Sequence, residues 1–359
     1  MAEKTRRTGR KMNLRNNKSK IRCAVAEAIF CRGGVMQVLN RFRLVIRLVL
    51  LAAVIAMPGR AAEADHPFRF GFSMALMPDV NENDARAAMK VWAENIVKNG
   101  LVRADPNVLT FHDFASMAEA LHNRAVDGVA ASTSDYFTIQ KEVGFNHFVF
   151  SVTDGSIYDQ YVLLVHQESG LGKVEDLQGR SLNILKHTRM SLAQFWLDTL
   201  LMEKGLKPAQ DYCGGITEEI KLVQTVLPVF FHKADACVVT LKGFKTMTEL
   251  NPQVGRQLRV LATSPELVPS GFFFRTGYPP AQQKECLAEF TRVHTNPTGQ
   301  QILTVFQTER LEEYPATVLD SSLALLARHR QLMAGTNDLK SVAIETNSPQ
   351  RETVGTQSQ

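Results

Sequence analysis

The residues best suited to do chemistry together are Lys186, His187, Thr188, Arg189 and Ser191, a polar cluster between two apolar segments. Ser181–Leu185 before it is a strand-length run. After it Leu192, Phe195, Trp196 and Leu200 fall at i, i+3, i+4 and i+8, a helical period. Gly205 ends that helix and Pro208 follows. A helix start carries unpaired N–H groups and the positive end of the helix dipole. With hydroxyl and cationic side chains in the same loop, the chemistry on offer is anion binding. The same residues also read as an ordinary βα turn that caps its helix.

A second cluster, Ser132, Thr133, Ser134, Asp135 and Tyr136, follows the short buried strand expected at Gly128–Ala131. Crevices at the carboxyl ends of strands in open α/β sheets are where ligands bind. Ser134 or Asp135 also suits the N-cap of a helix beginning near Tyr136, and both readings can hold together. The stretch VDGVAAS is echoed by ADACVVT, which ends at Thr240.

Other chemistries lack their signatures. There is no CxxC, HExxH or EF-hand spacing, and the nine His are dispersed, so no structural metal is expected. No GxSxG, P-loop or paired-carboxylate motif supports catalysis, and no cofactor is expected.

The elements that must position these residues alternate. Phe68–Phe72 reads as the first strand of the mature chain. A helix over about Asp84 to Lys98 carries Ala85, Ala88, Met89, Trp92 and Ile96 on one face, and Arg86, Lys90, Glu94 and Lys98 on another. Val108–Phe111 and Tyr161–His166 read as strands, and Asp113 or Ser116 caps a helix running to about Arg124. Ile220–Val229 is apolar and helical, Ala234–Thr240, Leu258–Ala262 and Ser270–Phe274 are strands, and Ala281–Thr295, Thr298–Phe306 and Ser321–Met333 are helices. Strands alternating with helices argue α/β with mostly parallel sheets, and the repeated theme suggests two similar lobes.

Residues 1–64 hold 14 Lys/Arg against 3 Asp/Glu, a charge of +11 in a chain of +5, so the remainder carries −6. The basic character belongs to this leader, and nucleic-acid binding is not expected. Leu48 to Met57 is an uninterrupted apolar run preceded by Arg41, Arg43 and Arg47 and followed by Ala62-Glu63-Ala64, the order of a secretory signal peptide with Asp65 as first mature residue. An uncleaved membrane anchor is the other reading. Counted from Met36 the segment has ordinary signal length, and translation is expected to start there. Cys23 and Cys31 fall in the leader, leaving Cys213, Cys237 and Cys286, which admit at most one bridge in a chain.

The order of elements from Phe68 to Ala334 resembles the phosphate/phosphonate-type periplasmic solute-binding proteins of ABC transporters. The segments that carry this are FRFGFS, ALHNRAVDGVAASTSDY, YDQYVLLVHQESGLGKVEDLQGRSLNI, MEKGLKPAQDY and SPELVPSGFFFR; LQGR and MEKGLKP are the most specific. Beyond Gly335 the chain is polar, Ser/Thr/Asn/Gln-rich and aromatic-free, and 336–359 is expected to be a disordered tail. The resemblance implies a two-lobed type II (Venus flytrap) fold, with lobe 1 at 65–160 plus 270–335 and lobe 2 at 161–269. It implies a monomer that closes on a small anionic ligand in the periplasm and delivers it to an ABC permease. The hinge is expected near Gln160–Tyr161 and Ser270–Gly271, and the ligand set is Ser73, Ser132, Thr133, Ser134, Tyr136, Tyr161, His187, Thr188, Arg189, Ser191 and Thr240. The family's binding loop carries a Ser-Thr-Ser-Gly-like motif. The corresponding loop here lacks Gly and adds His187 and Arg189, the latter suited to a carboxylate or phosphate. A periplasmic subunit that reports ligand to a membrane sensor such as a histidine kinase would share this fold, and a periplasmic enzyme is the third reading.

Overall fold

The computed structural model describes residues 66–346 apart from 79 and 100–102. The leader, with its signal and start-site features, and residues 347–359 lie outside the described residues.

In chain order the elements are β1 (Phe70–Ser73), α1 (Glu82–Asn99), β2 (Leu109–Phe111), α2 (Phe114–His122), β3 (Gly128–Ser132), α3 (Thr133–Ile139), β4 (Phe145–Val152), β5 (Tyr161–His166) and β6 (Ser181–Leu185). Then come α4 (Ala193–Met202), α5 (Ala209–Tyr212), β7 (Gly215–Glu219), α6 (Leu222–Phe230), β8 (Ala236–Thr240), α7 (Leu241–Leu250), α8 (Pro252–Gln257) and β9 (Leu258–Thr263). The chain finishes with β10 (Ser270–Arg275), α9 (Pro280–Arg292), α10 (Pro297–Val305), β11 (Arg310–Glu313) and α11 (Asp320–Thr346).

The strands form two sheets, β11-β4-β10-β3-β1-β2 and β7-β6-β8-β5-β9, one in each lobe of an α/β two-lobed fold. Each has a parallel unit of three strands: β1 with β2 and β3, and β6 with β7 and β8. Antiparallel strands extend both units, β10, β4 and β11 in the first and β5 and β9 in the second, so the sheets are mixed rather than mostly parallel. The reason is the hinge. Strands that leave one lobe and return to it must run against their neighbours. Three strands, β4, β7 and β11, were not expected from the sequence.

The first sheet is buried on both faces, which explains its near-continuous apolar strands. Phe272 and Phe274 of β10 join Phe70, Trp92 and Phe290 on one face, with Trp92–Phe290 and Phe272–Phe290 ring centroids 4.7 and 4.6 Å apart. Phe273, between them in sequence, points to the other face and packs with Phe150 and Met117. Ala85, Met89 and Trp92 of α1 are buried as the helical period requires, while the Arg86–Glu82 and Lys98–Glu94 pairs lie outside. The second sheet has its own core around Leu163, Leu164, Trp196, Leu197 and Val238.

The echoed sequences do the same job in each lobe. Asp127, just before β3, is wholly buried and accepts from the backbone N–H of Arg69 at 2.9 Å, tying β3 to the start of β1. Arg69 Nε at 3.0 Å and Arg275 Nη2 at 3.5 Å balance its charge. Asp235, just before β8, accepts from the Ser181 N–H at 2.9 Å and hydroxyl at 2.8 Å at the start of β6.

Two connections between the lobes run side by side. Asp159 and Leu267 exchange backbone hydrogen bonds of 2.8 and 2.9 Å, and the Ser264 N–H donates to the Tyr161 carbonyl at 2.8 Å. Helix α11 crosses them. The Ser322 hydroxyl accepts from the Val268 N–H at 2.8 Å, Leu323 packs against the first lobe's core, and Leu325 and Leu326 pack in the second's. The helix therefore spans both lobes instead of staying in the first. It also continues beyond Met333 to Thr346; one glycine, Gly335, costs only about 1 kcal/mol in a helix interior.

Replacing Asp127 with Ala strands the nearly buried Arg275 charge and should cost about 3–5 kcal/mol. The same change at the half-exposed Asp235 should cost about 1 kcal/mol. Urea denaturation of the two variants measures both, and equal losses would contradict this assignment of buried charge.

Candidate functional site

The loop between β6 and α4 reaches out of the second lobe and closes on the first. It winds as a single 3-10 turn over Thr188–Met190, with the His187 ring nitrogen Nδ1 accepting from the Arg189 N–H at 3.2 Å. Lys186 at its start pairs with Glu218 of β7 at 2.7 Å, and the polar side chains from His187 to Ser191 meet groups of the first lobe or of the crossing strands. The other His187 nitrogen lies 3.0 Å from Gln307 Oε1. The Thr188 hydroxyl donates to the Leu76 carbonyl, and the Ser191 hydroxyl donates to the Pro269 carbonyl at 2.7 Å. Arg189 Nη1 donates to both oxygens of Asp159, at 3.1 and 3.0 Å, and its Nη2 donates to the Thr153 hydroxyl.

The Asp159–Arg189 pair is nearly dry: their side chains are 4 % and 19 % exposed. Burial pushes the Asp159 carboxyl above the usual carboxylate range, and the Arg189 charge pulls it partly back. Tyr161, wholly buried, supports the pair from below by donating its hydroxyl to the Arg189 carbonyl at 2.8 Å. Burial raises its phenol pKa further.

Under this loop lies a chamber of about 140 Å³ that runs into the first lobe. Its walls are mostly apolar, with Phe72, Trp92, Phe272, Phe290, Leu303 and Phe306 prominent. His187, Thr188 and Arg189 are the part of the second lobe that lines it, and Asp159 lies beside them.

Of the residues expected to bind ligand, His187, Thr188 and Arg189 therefore reach the chamber, and the others are engaged elsewhere. Ser132 is the N-cap of α3: its hydroxyl oxygen accepts from the Asp135 N–H at 3.1 Å and its hydroxyl donates to the Asp135 carboxylate at 2.7 Å. Neither Ser134 nor Asp135 is the cap, since the helix starts at Thr133, three residues before Tyr136. Ser134 hydrogen-bonds Ser132 at 2.8 Å, and Thr133 donates to the Val268 carbonyl at 2.6 Å. Tyr136 is a core residue whose ring stacks on Phe273 at 4.6 Å. Thr240 caps α7 by accepting from the Gly243 N–H at 3.0 Å. Ser73 is buried at the end of β1, and Ser191 is spent on Pro269. The capping reading thus describes the hydroxyl-rich loops.

Sequence reasoning missed Asp159, Thr153 and the aromatic walls. The hinge position of Asp159 was the available signal, since a carboxylate beside the pivot is the natural counter-ion for a cation on a closing loop.

His166, Glu168 and His232 bring ligand-type atoms within 4.8 Å of one another. Their two imidazoles pack with ring centroids 3.8 Å apart. Rings that share one ion splay outward from it, so this pair reads as packing. Cys213, Cys237 and Cys286 are free thiols. Burial pushes Cys213 up to about 11 and raises the other two as well. None of them is an activated nucleophile.

Two lobes joined by a double crossing, with a polar loop closing over a chamber, define the class of two-lobed solute-binding proteins. A model of the phosphonate-binding periplasmic substrate-binding proteins of ABC transporters matches residues 74–317. The chain belongs to that family, whose members are periplasmic and serve ABC transporters. No curated protein sequence matches it. Among solved structures, XAC2383 from Xanthomonas citri bound to chloride ion is similar at 15% identity with a TM-score of 0.54, over 75% of this chain and 99% of that one. PhnD1 from Prochlorococcus marinus (MIT 9301) in complex with methylphosphonate is similar at 13% identity with a TM-score of 0.50, over 76% of this chain and 98% of that one. At such identities these likenesses speak for the fold.

Replacing Arg189 with Met leaves Asp159 buried without its cation and raises its pKa further. A folded-state pKa above the unfolded one penalises folding where the carboxyl is ionised, and the penalty fades as pH falls through the raised pKa. The variant should lose about 3–5 kcal/mol near neutral pH and recover much of it in acid. Denaturation at several pH values tests this, and a loss independent of pH would mean that Asp159 is not the charged partner.

Proposed function

We propose that the protein captures a small organic anion of the phosphonate or sulfonate class by lobe closure and presents it to an ABC permease as a monomer. The observation that carries this reading is the His187–Ser191 loop. It crosses from one lobe to the other, roofs the chamber and holds the cation Arg189 at its mouth. A polar roof carried by one lobe over a space walled by the other is what capture by closure needs, provided that ligand favours the closed state.

The reading is one of binding rather than catalysis. The ionisable side chains at the chamber are His187, Arg189 and Asp159, and each is bound to a protein group. The family's role in transport points the same way.

In this reading Asp159 and the ligand compete for Arg189. Alanine at Arg189 should weaken an anionic ligand by about 1.5–3 kcal/mol, the worth of a charge-assisted hydrogen bond. Asn at Asp159 should strengthen the same ligand, because it leaves the guanidinium charge uncancelled. Calorimetric titration with alkyl- and arylphosphonates and sulfonates reads both changes. If neither variant alters the affinity of a ligand that binds, the anion is not held at Arg189.

A further inference from the structure

We infer that the ligand carries an apolar group about the size of a benzene ring or a four-carbon chain, and that this group, more than the anionic head, selects it. The inference rests on the solute-capture reading above and names the substrate class of that site.

The first observation is the shape and lining of the chamber. Its volume is about 140 Å³. Apolar cavities of about 150 Å³ lined by Leu, Ile and Phe stay dry and accept benzene. Phe72, Trp92, Phe272, Phe290 and Leu303 are each at most 7 % exposed, so the walls are dry. They offer a ligand contact area and almost no hydrogen bonding.

The second observation is the charge balance. A bare oxyanion needs several donors converging on it. The hydroxyls of Ser132, Ser134, Ser191 and Thr240 bind protein groups away from the chamber. Arg189 is matched by Asp159 at 3.0 Å. A small dianion in this space would meet Ser151, Ser270, Gln307 and Thr308 beside the roof residues, but also the buried Asp159 carboxylate and the aromatic walls. A ligand with one anionic head at the roof and an apolar body below it meets complementary surface at both ends.

The third observation is the division of labour between the lobes. The walls belong to the first lobe, and the second adds only the roof. Phe306 and Leu76 line the chamber along with the roof residues, and trimming either side chain enlarges the space left for the body.

The test is calorimetric titration with phosphate and with methyl-, butyl-, hexyl- and phenylphosphonate, with benzyl alcohol as the uncharged control. Affinity should rise roughly fourfold for each buried methylene. Butylphosphonate should therefore bind about 50-fold more tightly than methylphosphonate, phenylphosphonate comparably, and hexylphosphonate less well than butyl. Phe306→Ala deepens the chamber and should move the optimum to the hexyl chain. A cooperative melt establishes that the variant is folded, and Leu76→Ala gives a second deepened chamber if it is not. Phosphate or methylphosphonate binding as tightly as the butyl and phenyl compounds would overturn the inference and leave capture of an anion intact. Benzyl alcohol binding alone, sensitive to Phe306→Ala, would support the apolar group and overturn the anionic head. Silence from every compound would overturn both.

Discussion

A guanidinium that cannot lose its proton, carried on a loop over an apolar chamber, must find a carboxylate. Arg189 finds Asp159, and much of the arrangement follows from that one pair. Asp159 sits in the first crossing strand, held by backbone hydrogen bonds to Leu267 in the second. The pair therefore ties the tip of the roof to the pivot of the molecule. Taking both charges out of water is expensive, and the return depends on good geometry and on filling the remaining donors. One nitrogen spans the two carboxylate oxygens, and another donates to Thr153, which supplies part of that return. The outcome is a charge-neutral roof. An incoming anion gains only what it offers Arg189 beyond what Asp159 already offers, so affinity has to come from elsewhere.

The hydroxyl-rich loops show how the same local chemistry serves a different end. Ser132 and Thr240 follow β3 and β8, and each caps the next helix. The carboxyl end of a strand feeding a helix leaves N–H groups without partners. A side-chain oxygen at the first position is the cheapest partner available. The two lobes repeat the device because they repeat the strand–cap–helix unit, complete with an aspartate that closes the neighbouring strand.

The elements legible in the sequence were those with a strong period or cap. Ser181–Leu185, Tyr161–His166, Trp92's face of α1 and the α4 stripe all read directly from the order of apolar residues. β7 and β11 did not, because GITEE and RLEE are partly exposed edge strands without an apolar alternation. β4 was missed because Asn146, His147 and Ser151 interrupt its apolar residues. In the candidate site, the loop was legible and its partners were not. Arg189 meets Asp159 and Thr153 across about thirty residues of chain, and Thr188 meets Leu76 across more than a hundred. Such meetings are products of sheet topology and leave no local spacing. The aromatic walls were visible as residues and unreadable as walls, since Phe72 and Phe272 look like any core phenylalanine until the void beside them is known.

That void bears on how closure is driven in the proposed role. The roof's polar bonds run between protein groups, so they favour the closed form whether or not ligand is present. A ligand adds to them the contacts its body makes with the chamber walls. Burying apolar surface contributes about 25 cal/mol per Å². The stiff aromatic walls of the first sheet keep their shape, because Phe70, Trp92, Phe272 and Phe290 already brace one another. A ligand whose body reaches both the walls and the roof makes all of these contacts only when the lobes are shut, and so binds the closed form in preference. A ligand too small to reach both does not. In this arrangement the shape of the cavity sets both which molecule is held and how firmly the lobes stay shut on it.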